Sequence, residues 1–535
     1  MKTQDNEYNR FGSAEFCNER DLSRARMLEQ RSHSLLVGFI DQKPIWYSGA
    51  GGLLLTAGAR GGKLRDLLSY NLCSGIHSPS MLVLDMKGEL AAISQDQTTD
   101  QKHCLYWNPA GLHDGLPQHR INPVDYIRIE SPSLISDVKV LTHNLIPPSG
   151  KRNGDYFEGR AREFLEGIIL TLVRLHGALT LELLYRAVNL IPGGGEKWLD
   201  FAFEMSQSGF VVSERIEEEI AASRGGNSSS GYEGILGELF KSLSALSDPT
   251  LMASVSPPFD FSMEQLCGDQ AVQLYIMPPA EFIEPWAPVI KALLVAGMIY
   301  KARKPQAPRQ TWILDECAQL GSFPLVEKLF TYGAGIGIRP WAVFQSIFQM
   351  DRLGSGARNI ITSSAQLRSY FAIRDIETAQ SVSRMLGAQT LEFDDELMQQ
   401  RARHARHQAM QSMTRGCDPF TAGMSIAHHS REAQQRSKQH RQLRTPDEVL
   451  NTPKDEQYIF TDDLPKPLLA NRKPYYEQRF MAGRYHPNPY HPPLDRVRVK
   501  TRWGHAWRRV VTEPVPDRFA DYPQYADGMW SRIEN

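Results

Sequence analysis

Short apolar runs recur before residue 131 and again after residue 263, each closed by a polar or glycine-rich turn. Gly52–Thr56, Met81–Leu84, Leu105–Trp107, Val272–Met277, Trp312–Leu314, Trp341–Phe344 and Leu367–Ile373 all have this form. Apolar runs of this length without polar alternation predict strands buried on both faces, the pattern of a mostly parallel sheet covered by helices. Two further runs, Leu35–Ile40 and Pro44–Tyr47, predict a lead-in over residues 1–50 that covers a sheet edge, and Gln457–Phe460 predicts a closing strand.

Between residues 131 and 263 the period changes. Phe157, Ala161, Phe164, Leu165, Ile168, Ile169, Leu172 and Leu175 form one helical stripe, with Arg160, Arg162, Glu163 and Glu166 opposite. Thr180 caps a second helix that stops at Pro192 and the following glycines, and a third starts at Ser213. The expectation is an all-helical domain over 131–263 with a core of its own, inserted into an α/β domain made of 51–130 and 264–480. Residues 395–444, rich in Arg, His and Gln and nearly free of acids, predict a mobile basic insertion, and 481–535 a Pro-rich, aromatic and basic tail.

Composition adds limits. The 535 residues carry 60 Lys and Arg against 61 Asp and Glu, so a polyanionic partner must be met by local basic patches. Candidates are the insertion, whose alternative is a solvated linker, and the cluster Val497–Arg509. There Trp503 and Trp507 either stack on single-stranded bases or dock the tail on the parent domain. The six cysteines form no CxxC pair, which points to a reducing compartment. The polar N-terminus is no signal peptide, and the most apolar window seen, Gly167–Leu184, is broken by Arg174, His176 and Glu182, so no membrane span is expected.

The candidate chemistry sits at the predicted strand ends. Trp312–Leu314 delivers Asp315 and Glu316, and Trp341–Phe344 ends on Gln345. In P-loop hydrolases such a first carboxylate serves Mg²⁺, the second polarises the attacking water, and a neighbouring Gln senses the γ-phosphate. The other reading is an ordinary strand end with acids favoured by a helix dipole. Gly52–Thr56 leads into Ala57-Gly58-Ala59-Arg60-Gly61-Gly62-Lys63-Leu64 and a helical pattern, an arrangement in which backbone N–H groups wrap a phosphate and the Lys reaches the β/γ oxygens. Ala57 stands at the first Gly position of GxxxxGK[ST], and Leu64 replaces the hydroxyl that would ligate Mg²⁺. Asp85, after Met81–Leu84, is expected to face the same crevice as Lys63.

Taken in order, these blocks resemble the TraG/TraD-type coupling proteins of type IV secretion systems, P-loop ATPases that hand a DNA–relaxase complex to the conjugation channel. The resemblance lies in AGARGGKL, LDMKGEL, INPVDYI, ILDECAQLGSFPLVEKLFTYGAGIGIRPWAVFQSIFQM, RDIETAQSVSRMLGAQT and TPDEVLNTPKDEQYIF, and covers about residues 10–390 and 443–480. It implies a RecA/FtsK-like P-loop NTPase fold using ATP and Mg²⁺. Gly58, Arg60, Gly61, Gly62, Lys63 and Leu64 would bind nucleotide, Asp315 would hold the metal, and Glu316 and Gln345 would act in catalysis. It also implies a homo-hexamer at the inner membrane, with DNA, a relaxase or secreted protein, and the channel proteins as partners. This chain differs from such proteins in showing no transmembrane helix, so membrane contact is expected only through a partner, and in carrying Ala334 where an Arg is usual. A catalytically weak docking platform and a DNA-translocating ATPase outside secretion are the alternatives.

Overall fold

The computed structural model describes residues 12–534, apart from residue 74 and the segments 96–101, 149–153, 226–229, 394–395, 415–423, 425–426, 428–436, 523–524 and 526–527. Its strands, in chain order, are β1 (Leu35–Ile40), β2 (Lys43–Tyr47), β3 (Leu53–Ala57), β4 (Met81–Leu84), β5 (His103–Trp107), β6 (Val272–Ile276), β7 (Gln310–Asp315) and β8 (Ile338–Phe344). They continue as β9 (Leu367–Phe371), β10 (Ala388–Phe393), β11 (Ser437–Gln442), β12 (Glu456–Thr461), β13 (Leu468–Asn471), β14 (Arg496–Thr501), β15 (Gly504–Pro514) and β16 (Met529–Ile533).

Because their side chains are apolar on both sides of the pleat, β3, β4, β6 and β8 are buried at every position. They lie inside an 11-stranded sheet of order β2-β1-β13-β12-β9-β3-β8-β7-β4-β6-β5. From β9 to β5 every pairing is parallel, and from β9 outward through β12, β13, β1 and β2 every pairing is antiparallel. The lead-in therefore supplies the edge strands themselves. Arg339 anchors it: fully buried on β8, its guanidinium donates to Gly49 O at 3.0 Å and His33 O at 2.8 Å, which satisfies both carbonyls and charge.

Helices run from Leu134–Leu145 through Gly154–His176, Leu181–Leu190, Glu196–Ser206, Val211–Gly225 and Ser230–Leu243 to Pro249–Ser254. These helices pack on one another, and their core is continuous with that of the sheet. Ile168, Leu172 and Leu239 belong to one continuous apolar cluster with Leu54, Leu84 and Trp107 of the sheet and with Trp286 and Leu293 of the helix Ile283–Arg303. The helix Gly154–His176 that carries the stripe packs against the other helices of the insertion, and the insertion meets Ile283–Arg303 through Leu134–Leu145. Ile121, at the head of INPVDYI, makes an isolated bridge to Phe261 and no longer strand, since Pro123 withholds the next donor.

Among the described residues, Ile283–Arg303, and not the stretch Gly167–Leu184, is the one helix long and apolar enough to cross a membrane; 72% of its most apolar window is buried inside the protein. The chain past 481 is not an extended tail. β14, β15 and β16 form an antiparallel sheet whose Val497 and Val499 pack with Tyr475, Tyr485, Tyr70 and Trp46. The basic insertion is framed by the antiparallel pair β10–β11 and begins with the helix Glu396–Thr414, whereas most of its second half lies outside the described residues.

Candidate functional site

The parallel register brings three strand ends level. Thr56 of β3 lies beside Phe344 of β8, and Asp315 of β7 beside Val343, so the loops after these strands open on one crevice at the carboxyl edge of the sheet. After Ala57 the chain makes a tight loop closed by Gly61 N–H donating to Gly58 O at 3.0 Å, then enters a π-helical turn, Leu64–Leu68, that continues as the α-helix Ser69–Leu72. The glycines are required by close approach: a Cβ on Gly58 would stand 2.3 Å from the Ala372 carbonyl oxygen, and one on Gly61 2.8 Å from the Ala372 side chain. Gly62 takes φ +87° and Arg60 φ +58°, the left-handed region in which a non-glycine residue is uncommon.

Lys63, at the head of the helix, extends its ammonium to Asp315 Oδ1 at 2.8 Å and Glu316 Oε1 at 2.9 Å. Gln345 Nε2 donates to the same Glu316 oxygen at 3.0 Å, and Gln319 Nε2 to the other at 2.8 Å. Glu316 itself is held at φ +53°, a strained conformation for a residue with a Cβ. Lys63, Asp315, Glu316 and Gln345 are thus one hydrogen-bonded group. Arg60, exposed on the loop, and Leu64, half-buried between two apolar clusters, are not part of it.

The electrostatics divide the two acids. Burial opposes the charge on Lys63, but the attraction of Asp315 and Glu316 outweighs it and holds the ammonium above its ordinary value. Asp315 is raised by burial in spite of Lys63. Glu316, also penalised by burial, ends below the ordinary range because Lys63 and Gln345 stabilise its charge. The pair offers one firmly ionised, hydrogen-bonded carboxylate next to one with a weaker hold on its charge.

Asp85 lies at the same carboxyl edge of the sheet, near enough to Asp315 to be repelled by it, but outside the hydrogen-bonded Lys63 group. It follows β4, is buried, and accepts the Ala91 N–H at 2.9 Å rather than meeting Lys63. Burial, with Asp315 and Glu89 adding repulsion, pushes its carboxyl up to about 7.

The sequence reading missed what fixes the loop from below. Arg472, just past β13, donates to Gly61 O and Asp66 Oδ2, both at 2.7 Å, and lies 3.8 Å from the Phe371 ring centroid. Both partners of the Arg472–Asp66 pair are buried, with 1% of each side chain exposed. An acid one turn after Lys63 was visible in the sequence; its partner, some 400 residues on, was not.

Comparison with known proteins places this geometry. The family described as type IV secretory system conjugative DNA transfer matches residues 7–492. A conjugal transfer protein TraG of Escherichia coli is 27% identical over 378 residues, 64% of this chain and 56% of that protein. A TraG of Agrobacterium fabrum is 26% identical over 288 residues, 53% and 39% of the two chains. The chain therefore spans little more than half the length of such relatives. Among solved structures, the plasmid coupling protein TrwB in complex with ADP and Mg²⁺ superposes with a TM-score of 0.57 at 16% identity, covering 86% of this chain and 93% of TrwB. An unbound TrwB lacking its N-terminal segment superposes with a TM-score of 0.59 at 16% identity, covering 86% and 95%. The mixed, largely parallel α/β fold is shared with that coupling protein, and by the match over residues 7–492 this chain belongs to the type IV secretory system conjugative DNA transfer family.

Proposed function

We propose that the chain is a coupling ATPase of a conjugative type IV secretion system, which uses ATP hydrolysis to drive a DNA–relaxase complex or a protein substrate to the secretion channel. The observation that carries this reading is the contact of Lys63 with Asp315 and Glu316, with Gln345 bound to Glu316, at the carboxyl ends of three adjacent strands. The donor set suits a magnesium nucleotide. Lys63 and the Gly58–Gly62 backbone offer positive charge and N–H groups to phosphate, and Asp315 offers an oxygen to Mg²⁺. Related TrwB has been captured with ADP and Mg²⁺ and with a non-hydrolysable ATP analogue.

When bound, the magnesium nucleotide supplies the transferable phosphoryl group and the cationic charge that offsets charge developing on it. Lys63 would turn from its carboxylate partners to the phosphates, and Glu316, released from Lys63 and still held by Gln319, would orient and polarise the attacking water, with Gln345 fixing its position. Within this reading, residues 51–130 and 264–480 form the nucleotide-binding domain, 131–263 the all-helical domain, 395–444 a basic insertion and 481–535 a C-terminal extension. The chain works as a hexamer on the cytoplasmic side of the inner membrane, with membrane contact through a partner.

ATP hydrolysis measured with and without DNA tests this. Wild type is expected to turn over, with Lys63→Ala and Glu316→Gln slower by about 10²-fold or more, the scale on which removing a positioned charge or base acts. Equal rates for all three would sink it. One observation favours a second reading, a docking platform with little turnover: Leu64 packs among apolar residues and brings no oxygen to the metal. Tight ATP binding with no hydrolysis in wild type would select that reading.

A further inference from the structure

A cavity of about 340 Å³ opens where the C-terminal sheet meets the helix that follows Lys63. Leu64 and Arg65, the two residues after Lys63, form one wall, and Tyr476 and Trp507 supply rings on the others. Glu89, the first residue of the helix Glu89–Ile93 at the same edge of the sheet, also lines it and accepts the Asn488 side-chain N–H at 2.7 Å. The Arg498 guanidinium lies 5.5 Å from the Tyr476 ring centroid.

Resting on the reading that Lys63 holds the phosphates of a nucleotide, the geometry points to this cavity as the site that takes the nucleotide's base. The cavity begins one residue beyond Lys63, and neither Asp315 nor Glu316 lines it. Its volume is at the small end of the roughly 300–1,000 Å³ found for ligand sites, which suits a heteroaromatic ring with its sugar. Tyr476, Trp507 and the planar guanidinium of Arg498 are surfaces on which a base stacks. Glu89 and Asn488 supply a polar edge for its exocyclic groups. Leu64 acquires a role here: the side chain that offers no oxygen to a metal offers the ring an apolar floor. Trp507 and Arg498 come from β14 and β15, beyond residue 492 where the family match ends, so base contact in this chain depends on its own C-terminal sheet.

The test is calorimetric binding of MgATP and of magnesium tripolyphosphate, which carries the phosphates without a base, to the full-length chain. Trp507, 52% exposed, can be replaced without emptying the core. Trp507→Ala and Tyr476→Ala are expected to weaken MgATP about tenfold, the order of one lost stacking contact, and to leave tripolyphosphate unchanged, with Trp507→Phe restoring most of the loss. Lys63→Ala is expected to weaken both ligands. Unchanged MgATP affinity in Trp507→Ala and Tyr476→Ala, or equal losses for the two ligands, overturns the base site. Either result leaves the phosphate reading standing if Lys63→Ala still weakens both. A Trp507→Ala variant that loses affinity only for single-stranded DNA also overturns it, and failure of wild type to bind MgATP overturns both readings.

Discussion

At the residue scale, two buried charges matter most outside the Lys63 group. Arg472 and Asp66 meet where neither reaches water, and each is tolerated because it is fully partnered: Asp66 by Arg472 and Arg65, Arg472 by Asp66 and the carbonyls of Gly61 and Lys454. Burial lowers the Arg472 guanidinium to about 10 even beside Asp66, a sign of how costly the pocket is for charge. Arg472→Met alone is expected to cost about 1–3 kcal/mol in denaturant unfolding, because Gly61 O loses its donor and Asp66 keeps only its pair with Arg65. The double variant Arg472→Met with Asp66→Leu should lose clearly less than the sum of the two single changes. Asp85 gives a pH signature of opposite kind. Its carboxyl ionises near 7 in the folded chain and near 4 in an unfolded one, so between about pH 4 and 7 the folded state holds a proton that the unfolded state has released. Its contribution to stability therefore falls as pH rises through that window. Melting temperatures of Asp85→Asn and wild type followed from pH 5 to 8 should diverge, wild type losing ground to the variant as pH rises.

At the scale of elements, the helix Pro324–Ile336 shows how a local signal can mislead. Gly333 and Gly335 look like the turn between the acid pair and β8, yet the helix runs through both and ends only at Gly337, which adopts φ +85°. Gly333 stays helical because it packs tightly: a Cβ there would stand 2.9 Å from Ile338 O. Gly337 is the true stop, and a Cβ on it would stand 2.8 Å from Lys301 Nζ, an ammonium that caps the carbonyls of Lys304, Pro305 and Ala307. Gly337→Ala is expected to cost about 1–2 kcal/mol from backbone strain alone, read as a lowered unfolding midpoint. Gly335→Ala, where a Cβ meets nothing within 4 Å, should be neutral or slightly stabilising.

At the scale of the whole molecule, the C-terminal sheet closes one side of the fold. Val497 and Val499 cover Tyr475 and Tyr485, which in turn pack against Tyr70 of the helix after the phosphate loop. Ending the chain at residue 492 is expected to lower the melting temperature by several degrees and to raise binding of a hydrophobic dye such as ANS, because that apolar surface becomes exposed. The helix Ile283–Arg303 shows the same dependence on context. Its apolarity would suit a membrane, but in this fold it lies between the sheet and the helical insertion, with Trp286 beside Trp107 at 6.3 Å between ring centroids.

The sequence by itself determined the parallel core of the sheet, because strands buried on both faces must be largely apolar, and it placed Asp315, Glu316 and Gln345 at strand ends and Lys63 at the start of the helix after β3 by turn signals a few residues away. Only the tertiary structure decided the rest. Nothing local says that Lys63 bridges Asp315 and Glu316 about 250 residues on, that Arg472 returns to hold Gly61 and Asp66, or that Asp85 turns to its own helix instead of Lys63. The same holds for the shared core of sheet and insertion and for the folded C-terminal sheet. Periodicity reports which face of an element avoids water; which other element covers that face depends on contacts distant along the chain, and those form only once the whole chain has packed.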